Sequence, residues 1–144
     1  MITVLVVACS PSPSLSIYNA QHHQGETLSG TALQGHVLLL NFWAPWCKPC
    51  IEEIPQLNQF AAQHADRVIV LAVNFEHPKS GEIPSAADLA GIRYASLISD
   101  PATVFNLPDI SGLPTTLVLN DQGAVIKTLA GTQTLQTLEA ALKP

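Results

Sequence analysis

Two apolar runs of strand length organise the chain. Val37-Leu38-Leu39-Leu40-Asn41-Phe42 and Val68-Ile69-Val70-Leu71-Ala72-Val73 are almost unbroken, the second richer in β-branched residues. Continuous rather than alternating apolarity is the mark of strands covered on both faces, as in a parallel sheet. Between them Ile51, Ile54, Leu57, Phe60 and Ala61 recur at three- and four-residue spacing, while Glu52, Gln56, Gln59 and Gln63 fall on other faces. That spacing predicts an amphipathic helix from about Cys47 to His64, and hence a βαβ unit. Pro55 falls inside this helix, removes one backbone hydrogen bond and predicts a kink one turn past its start.

The flanking segments are less regular. Ser16 to Ser29 alternates weakly around Gln24-Gly25, predicting a small hairpin that covers a sheet edge. From Glu76 to Asp100 the pattern is broken by Pro78, Gly81 and Pro84, with room for a short helix over Ser85 to Ala90 and a short strand over Tyr94 to Ile98. Thr115 to Asn120 and Ala124 to Ala130 flank Asp121-Gln122-Gly123, whose glycine suits the left-handed position of a three-residue hairpin turn. Thr132 is a candidate cap for a last helix carrying Leu135, Leu138 and Leu142 on one face and ending before Pro144. The order from Val37 onward is β-α-β, an insert, then β-β-α, which makes the class α/β.

Composition narrows the partners. Six Lys and Arg against 11 Asp and Glu, a net charge of −5, leave no basic face for a row of phosphates, so no nucleic-acid partner is expected. At 144 residues the chain is one folded domain, expected over 16-144, preceded by a segment over 1-15 of different character. In that segment the apolar run Ile2 to Ala8 stops at Cys9, and Ser10-Pro11-Ser12-Pro13-Ser14 reads as a linker. Val6-Val7-Ala8-Cys9 resembles the lipobox at which bacterial lipoproteins are cut and lipidated on the cysteine. Only Met1 precedes the run, whereas an export signal needs a cationic start, so two readings stay open: translation beginning upstream, or a frayed terminus or edge strand. A lipid thioether on Cys9 would tether the domain to a membrane surface without a span.

The candidate chemistry lies where the first core strand meets its helix, at Trp46-Cys47-Lys48-Pro49-Cys50. Free backbone N–H groups and the positive helix end favour thiolate at Cys47, below the free cysteine pKa of about 8.5. Cys50 lies about one turn further round, within reach of a disulfide, and Pro49 is tolerated because the first turn has no use for its missing N–H. Cys47, the more exposed sulfur, would attack a substrate disulfide, and Cys50 would then resolve the mixed disulfide. Glu53, three residues further on, is the nearest candidate to take the Cys50 proton, or else only complements the helix dipole; Asn41 cannot titrate. Gly112-Leu113-Pro114-Thr115-Thr116 is either a plain strand start or, with a cis bond, a bend that offers the Leu113 backbone to an extended substrate.

Asn41-Phe42-Trp43-Ala44-Pro45-Trp46-Cys47-Lys48-Pro49-Cys50, followed by Glu52-Glu53-Ile54-Pro55 and the later Gly-x-Pro-Thr, resembles the thioredoxin superfamily and its TlpA/ResA-like (DsbE/CcmG-like) branch from about Ser16 to Leu142. The resemblance implies a thioredoxin fold, a central mixed β-sheet flanked by helices, here with an N-terminal β-hairpin extension and an insert between the halves. It also implies a cis Pro114, a redox pair at Cys47 and Cys50, and an exported, membrane-tethered thiol-disulfide oxidoreductase on the periplasmic side of a bacterial membrane. Such proteins often act in cytochrome c maturation. Expected clients are thiol or disulfide proteins such as apocytochrome c, and the expected electron donor is a membrane thiol reductant of the CcdA or DsbD type. In cytosolic thioredoxins an Asp stands at the Asn41 position, while Glu53 matches the acidic helix residue of the ResA-like branch. Lys48 within the pair and the short leader depart from the pattern.

Other readings are weaker. A lone Cys-x-x-C pair can be half a zinc site, but only Cys9 and five histidines could complete it, so no metal and no cofactor are expected. His22-His23 falls in a weakly structured region, and His36, His64 and His77 read as solvent-facing. A peroxiredoxin would carry Thr three before the reactive cysteine, where Ala44 stands. Trp43 reads mainly as packing, and Trp46 as rim packing or as substrate-binding surface with Leu113. The remaining alternative to an enzyme, expected as a monomer, is a non-catalytic thioredoxin-like binding module whose disulfide is structural.

Overall fold

A computed structural model describes residues 14–144. The apolar run, Cys9 and most of the Ser/Pro linker lie outside the described residues. Leu15, on the linker side of the expected boundary, opens the first strand and is fully buried.

Seven strands form one sheet in the order β2-β1-β5-β4-β3-β6-β7. At its centre β3 (Val37–Trp43) runs parallel to β4 (Val68–Asn74), with Leu40 opposite Leu71, and antiparallel to β6 (Thr115–Leu119), with Leu40 opposite Leu117. These are the apolar runs of the sequence. Side chains alternate across a strand, so each run feeds two cores. Leu39, Trp43, Val70, Ala72 and Val118 face one layer with Ile54, Leu57, Phe60 and Leu138. Leu38, Leu40, Phe42, Leu71 and Leu117 face the other with Leu15, Ile17, Leu33 and Phe105. The first layer is built mainly by α2 (Lys48–Gln63) and α4 (Leu135–Ala141), and the second contains Leu33 of the short α1 (Gly30–Leu33).

α2 begins where expected, with Cys47 as its N-cap and Pro49 in its first turn, and it buries Cys50, Glu53, Ile54, Leu57 and Phe60 along one stripe. Pro55 lies within it, so the carbonyl of Ile51 loses its usual helical donor. The β6–β7 hairpin also forms as expected, with β7 at Val125–Ala130 and Gly123 at φ 78°. Asn120 Oδ1 holds this turn by accepting from the N–H groups of Gln122 and Ala124.

The insert does more than interrupt the fold. It supplies α3 (Ile83–Ala90) and β5 (Ala95–Leu97), and β5 enters the sheet parallel to β4 and antiparallel to β1 (Leu15–Asn19). The hairpin of β1 and β2 (Gln24–Leu28) therefore covers an edge that the insert itself creates.

Three local expectations are corrected. The hairpin turns at Ala20 to His23, with His23 at φ 51°, and Gln24-Gly25 lies inside β2 with Gly25 opposite Tyr18. The last helix is capped by Thr134, not Thr132, through a reciprocal pair of bonds with Thr137. His64 is buried rather than solvent-facing, because it closes the end of α2: its Nε2 lies 2.5 Å from Glu139 Oε1 on α4 and its Nδ1 3.0 Å from Arg67 Nη2.

Candidate active site

Where the central strand β3 ends, Ala44-Pro45-Trp46 turns the chain toward α2, held by the Cys47 N–H donating to the Ala44 carbonyl at 3.0 Å. Cys47 then sits at the α2 N-cap with extended backbone, and its Sγ accepts from the Cys50 N–H at 3.3 Å. A backbone donor aimed at this sulfur, together with the helix end, stabilises negative charge there when the pair is reduced. The two cysteines are joined as a disulfide, their Cα atoms 5.2 Å apart. Cys47 retains 4% exposure and Cys50 none, so both residues of the pair are buried and Cys47 is the outer one. Lys48 points to solvent, its Nζ 3.9 Å from Glu52 Oε1, a surface pair of small energetic weight.

Glu53 is 1% exposed. It lies one turn after Cys50 on the same helix, the spacing at which Cβ atoms stand about 5–6 Å apart. Its Oε1 accepts from Asn41 Nδ2 at 2.7 Å and its Oε2 from the backbone N–H of Gln133 at 2.8 Å. Burial pushes its carboxyl pKa up, and these two hydrogen bonds pull it back only in part, so the net shift is upward. A helix-dipole role alone does not account for a carboxyl that is taken out of water in the second turn and given two dedicated donors.

Asn41 proves to be the hub of a network that sequence reasoning missed. Besides Glu53, its Nδ2 donates to Thr116 Oγ1 at 3.2 Å, and its Oδ1 accepts from the Tyr94 hydroxyl at 3.1 Å. Tyr94 is itself pushed well above its ordinary value, first by burial and then by the Glu53 charge. Asn41 and Thr116 were detectable as polar residues within apolar strands, a pattern that demands buried partners. Gln133 contributes only its backbone, for which no side-chain signal exists.

The Leu113–Pro114 bond is cis. Leu113 is half-buried against the apolar cluster that contains both cysteines, and the Pro114 carbonyl accepts from the Gly131 N–H at 2.9 Å. Trp46 is 67% exposed beside Cys47, its Nε1 donating to Glu76 Oε1 at 2.8 Å, while Trp43 is core. Among the described residues no three His, Cys, Asp or Glu side chains cluster as metal ligands, and no helix is long and apolar enough to cross a membrane. His22 and His23 go to separate partners, Glu26 and Tyr18.

The profile of the AhpC/TSA family matches residues 13–128. The chain belongs to this family. It is 33% identical over 120 residues to the thioredoxin-like protein YneN of Bacillus subtilis (strain 168), covering 82% of this chain and 70% of that one. It is 32% identical over 111 residues to the thiol-disulfide oxidoreductase ResA of the same strain, covering 76% of this chain and 62% of ResA. The chain thus spans 62 to 70% of the length of these curated relatives. A solved thiol:disulfide interchange protein of the thioredoxin family from Chlorobium tepidum TLS superposes with a TM-score of 0.64 at 27% identity, over 91% of this chain and 92% of the other. The architecture of this AhpC/TSA-family chain is therefore the thioredoxin fold. Its similarity runs to thiol-disulfide oxidoreductases, and it carries a Cys47–Cys50 disulfide at the start of α2.

Proposed function

We propose that the chain is a thiol-disulfide oxidoreductase that reduces disulfides of exported proteins. The observation that carries this reading is the Cys47–Cys50 disulfide at the start of α2 with the buried carboxyl of Glu53 one turn away. In the reduced protein the Cys47 thiolate attacks a client disulfide, forming a mixed disulfide and expelling one client thiolate. Cys50 gives its proton to Glu53 and attacks Cys47 Sγ. The Cys47–Cys50 bond forms, the second client thiolate leaves, and two electrons have passed to the client. The raised proton affinity of Glu53 suits it to this step, since a base works best when its pKa lies near the working pH. Trp46, exposed beside Cys47, and the backbone of Leu113 next to Pro114 form the surface against which an extended client segment lies.

Restoring the dithiol takes two electrons from an external donor, for which the resemblance supplies a membrane thiol reductant of the CcdA or DsbD type. Apocytochrome c fits as a client because it offers cysteines in an extended segment. Export to the periplasmic side of a bacterial membrane, with a lipid anchor on Cys9, completes the proposal. An intact Met1 in the mass spectrum of the mature protein would remove the anchor.

The deciding experiment is a redox titration of the pair against dithiothreitol and glutathione buffers. A potential below about −200 mV, toward the roughly −270 mV of thioredoxin, is the expected result. A value near the roughly −120 mV of DsbA would reverse the direction of electron flow and overturn the proposed role. A Cys50→Ser variant is expected to trap client adducts through Cys47 on non-reducing gels, and their absence in the native compartment would favour a binding module with a structural disulfide.

A further inference from the structure

Asn41 is a side chain whose orientation matters, because its oxygen and nitrogen occupy nearly the same space and differ only in what they can bond. Three groups surround its amide: Glu53 Oε1 at 2.7 Å, Thr116 Oγ1 at 3.2 Å and the Tyr94 hydroxyl at 3.1 Å. Thr116 carries a neutral hydroxyl that can donate or accept, so it does not choose between orientations. Glu53 does choose: ionised, it accepts only and requires the NH2; protonated, it can donate to the carbonyl. Tyr94 is 5% exposed, and its hydroxyl has Asn41 Oδ1 as its acceptor. Turning the amide over would leave a buried phenol proton without a partner, a costly state. The amide and the Glu53 proton thus form one two-position device, and Tyr94 weights one position.

Resting on the reading of Glu53 as proton acceptor, we infer that Tyr94 is a positioning residue for the redox reaction: its hydroxyl holds Asn41 with the NH2 toward Glu53 and so keeps Glu53 in the anionic form that takes the Cys50 proton. Among the described residues, the groups around Glu53 are few. α2 carries Cys50 one turn before it on the same buried stripe, with Cys47 at the helix cap; β3 presents Asn41; the segment before α4 presents the Gln133 N–H; and Thr116 of β6 and Tyr94 reach it through Asn41. Only the cysteines and Tyr94 among these titrate. Tyr94 remains a proton donor throughout the useful range, because burial and the Glu53 charge push its phenol up. Without the hydroxyl, a protonated Glu53 can donate to a reversed Asn41, the acid form gains, and Glu53 ionises at higher pH.

The test is single-turnover oxidation of the reduced full-length protein by oxidised glutathione, followed by tryptophan fluorescence from pH 5 to 9, with the Cys50 resolution phase separated from the initial attack. Tyr94→Phe is expected to move the pH midpoint of resolution upward by about one unit, the tenfold in proton affinity typical of one lost hydrogen bond. Tyr94→Leu should move it in the same direction. Glu53→Gln should remove this pH dependence, and Tyr94→Phe should then add no shift in the Glu53→Gln background. The infrared carbonyl band of protonated Glu53 in the oxidised protein, identified by its loss in Glu53→Gln, should shift its midpoint in parallel without any turnover. An unmoved midpoint in both Tyr94 variants, with the Glu53→Gln effect intact, would overturn the role of Tyr94 alone. An unchanged profile in Glu53→Gln would overturn the Glu53 reading and this inference with it.

Discussion

Asn41→Asp places a second carboxyl against Glu53, and the structure fixes what that must cost. The new oxygen would occupy the site of Asn41 Nδ2, 2.7 Å from Glu53 Oε1, with both residues at 1% exposure or less. At that separation the two cannot both ionise without large repulsion: unit charges about 4 Å apart in an effective dielectric of about 20 repel by roughly 4 kcal/mol, equivalent to about three pH units. The pair therefore keeps one shared proton, which bridges the two carboxyls much as the amide N–H does now, while Tyr94 still finds an acceptor. The unfolded chain, with ordinary carboxyls near 4, has released that proton. Because the native state binds more protons than the unfolded one, stability falls as pH rises.

Glu53 in the parent protein already acts in this direction, since its folded pKa is raised, so the signature of the substitution is the added window above the parent's ionisation. At pH 5 the penalty is small, because the Thr116 hydroxyl, which now accepts from the amide, can donate to the new carboxyl oxygen instead. It then grows by at most about 1.4 kcal/mol per pH unit, toward roughly 4 kcal/mol once both carboxyls ionise. Urea unfolding of the oxidised protein at half-unit steps from pH 5 to 9 reads this directly, and Asn41→Asp combined with Glu53→Gln should show a flat penalty. A penalty in Asn41→Asp alone that stays constant within about 0.5 kcal/mol over that range would refute the picture of a dry, directly bonded Asn41–Glu53 contact.

Three further outcomes follow from single contacts. Gly123→Ala should lose about 1–3 kcal/mol in urea unfolding, because φ is 78° and a Cβ there would meet Phe105 Cδ1 at 3.0 Å, whereas Gly112→Ala, with nothing within 4 Å of its Cβ, should be nearly silent. Thr134→Ala should cost about 1 kcal/mol as the loss of a helix cap, and Thr132→Ala much less. Trp46→Ala should change stability by less than about 1 kcal/mol, since the ring is 67% exposed, yet raise the KM for a disulfide-bonded client peptide several-fold.

What the sequence disclosed follows from the range over which each feature is encoded. β3, α2, β4, β6 and β7 are long enough for a period to show, and the helix-start cysteines are set by local spacing, so both were legible. β5 spans three residues, too few for any period, and its place between β4 and β1 depends on partners about 25 residues and about 80 residues away in the chain. The hairpin turn was misplaced because a glycine draws the turn toward itself, whereas His23 takes up the left-handed conformation instead. Two threonines two residues apart compete for one helix cap, and only the geometry selects Thr134. His64 reads as surface until α4 brings Glu139 against it.

The insert is where these distances matter to chemistry. Glu53 needs a donor in a buried interior, and β3 supplies it as Asn41, but the amide brings two N–H donors and an acceptor oxygen that each need a partner there. Thr116 on β6 meets one, Glu53 another, and the third is met by Tyr94, 53 residues from Asn41 in sequence. Tyr94 reaches it because β5, immediately after, is wedged between β4 and the N-terminal hairpin. The segment that looks dispensable in the pattern of the chain therefore orders the sheet edge and completes the wiring of the buried carboxyl in one step. A shortened insert that still closed the β4 edge but lacked a hydroxyl at this point would retain the fold, while leaving Asn41 free to turn away from the charge it is there to hold.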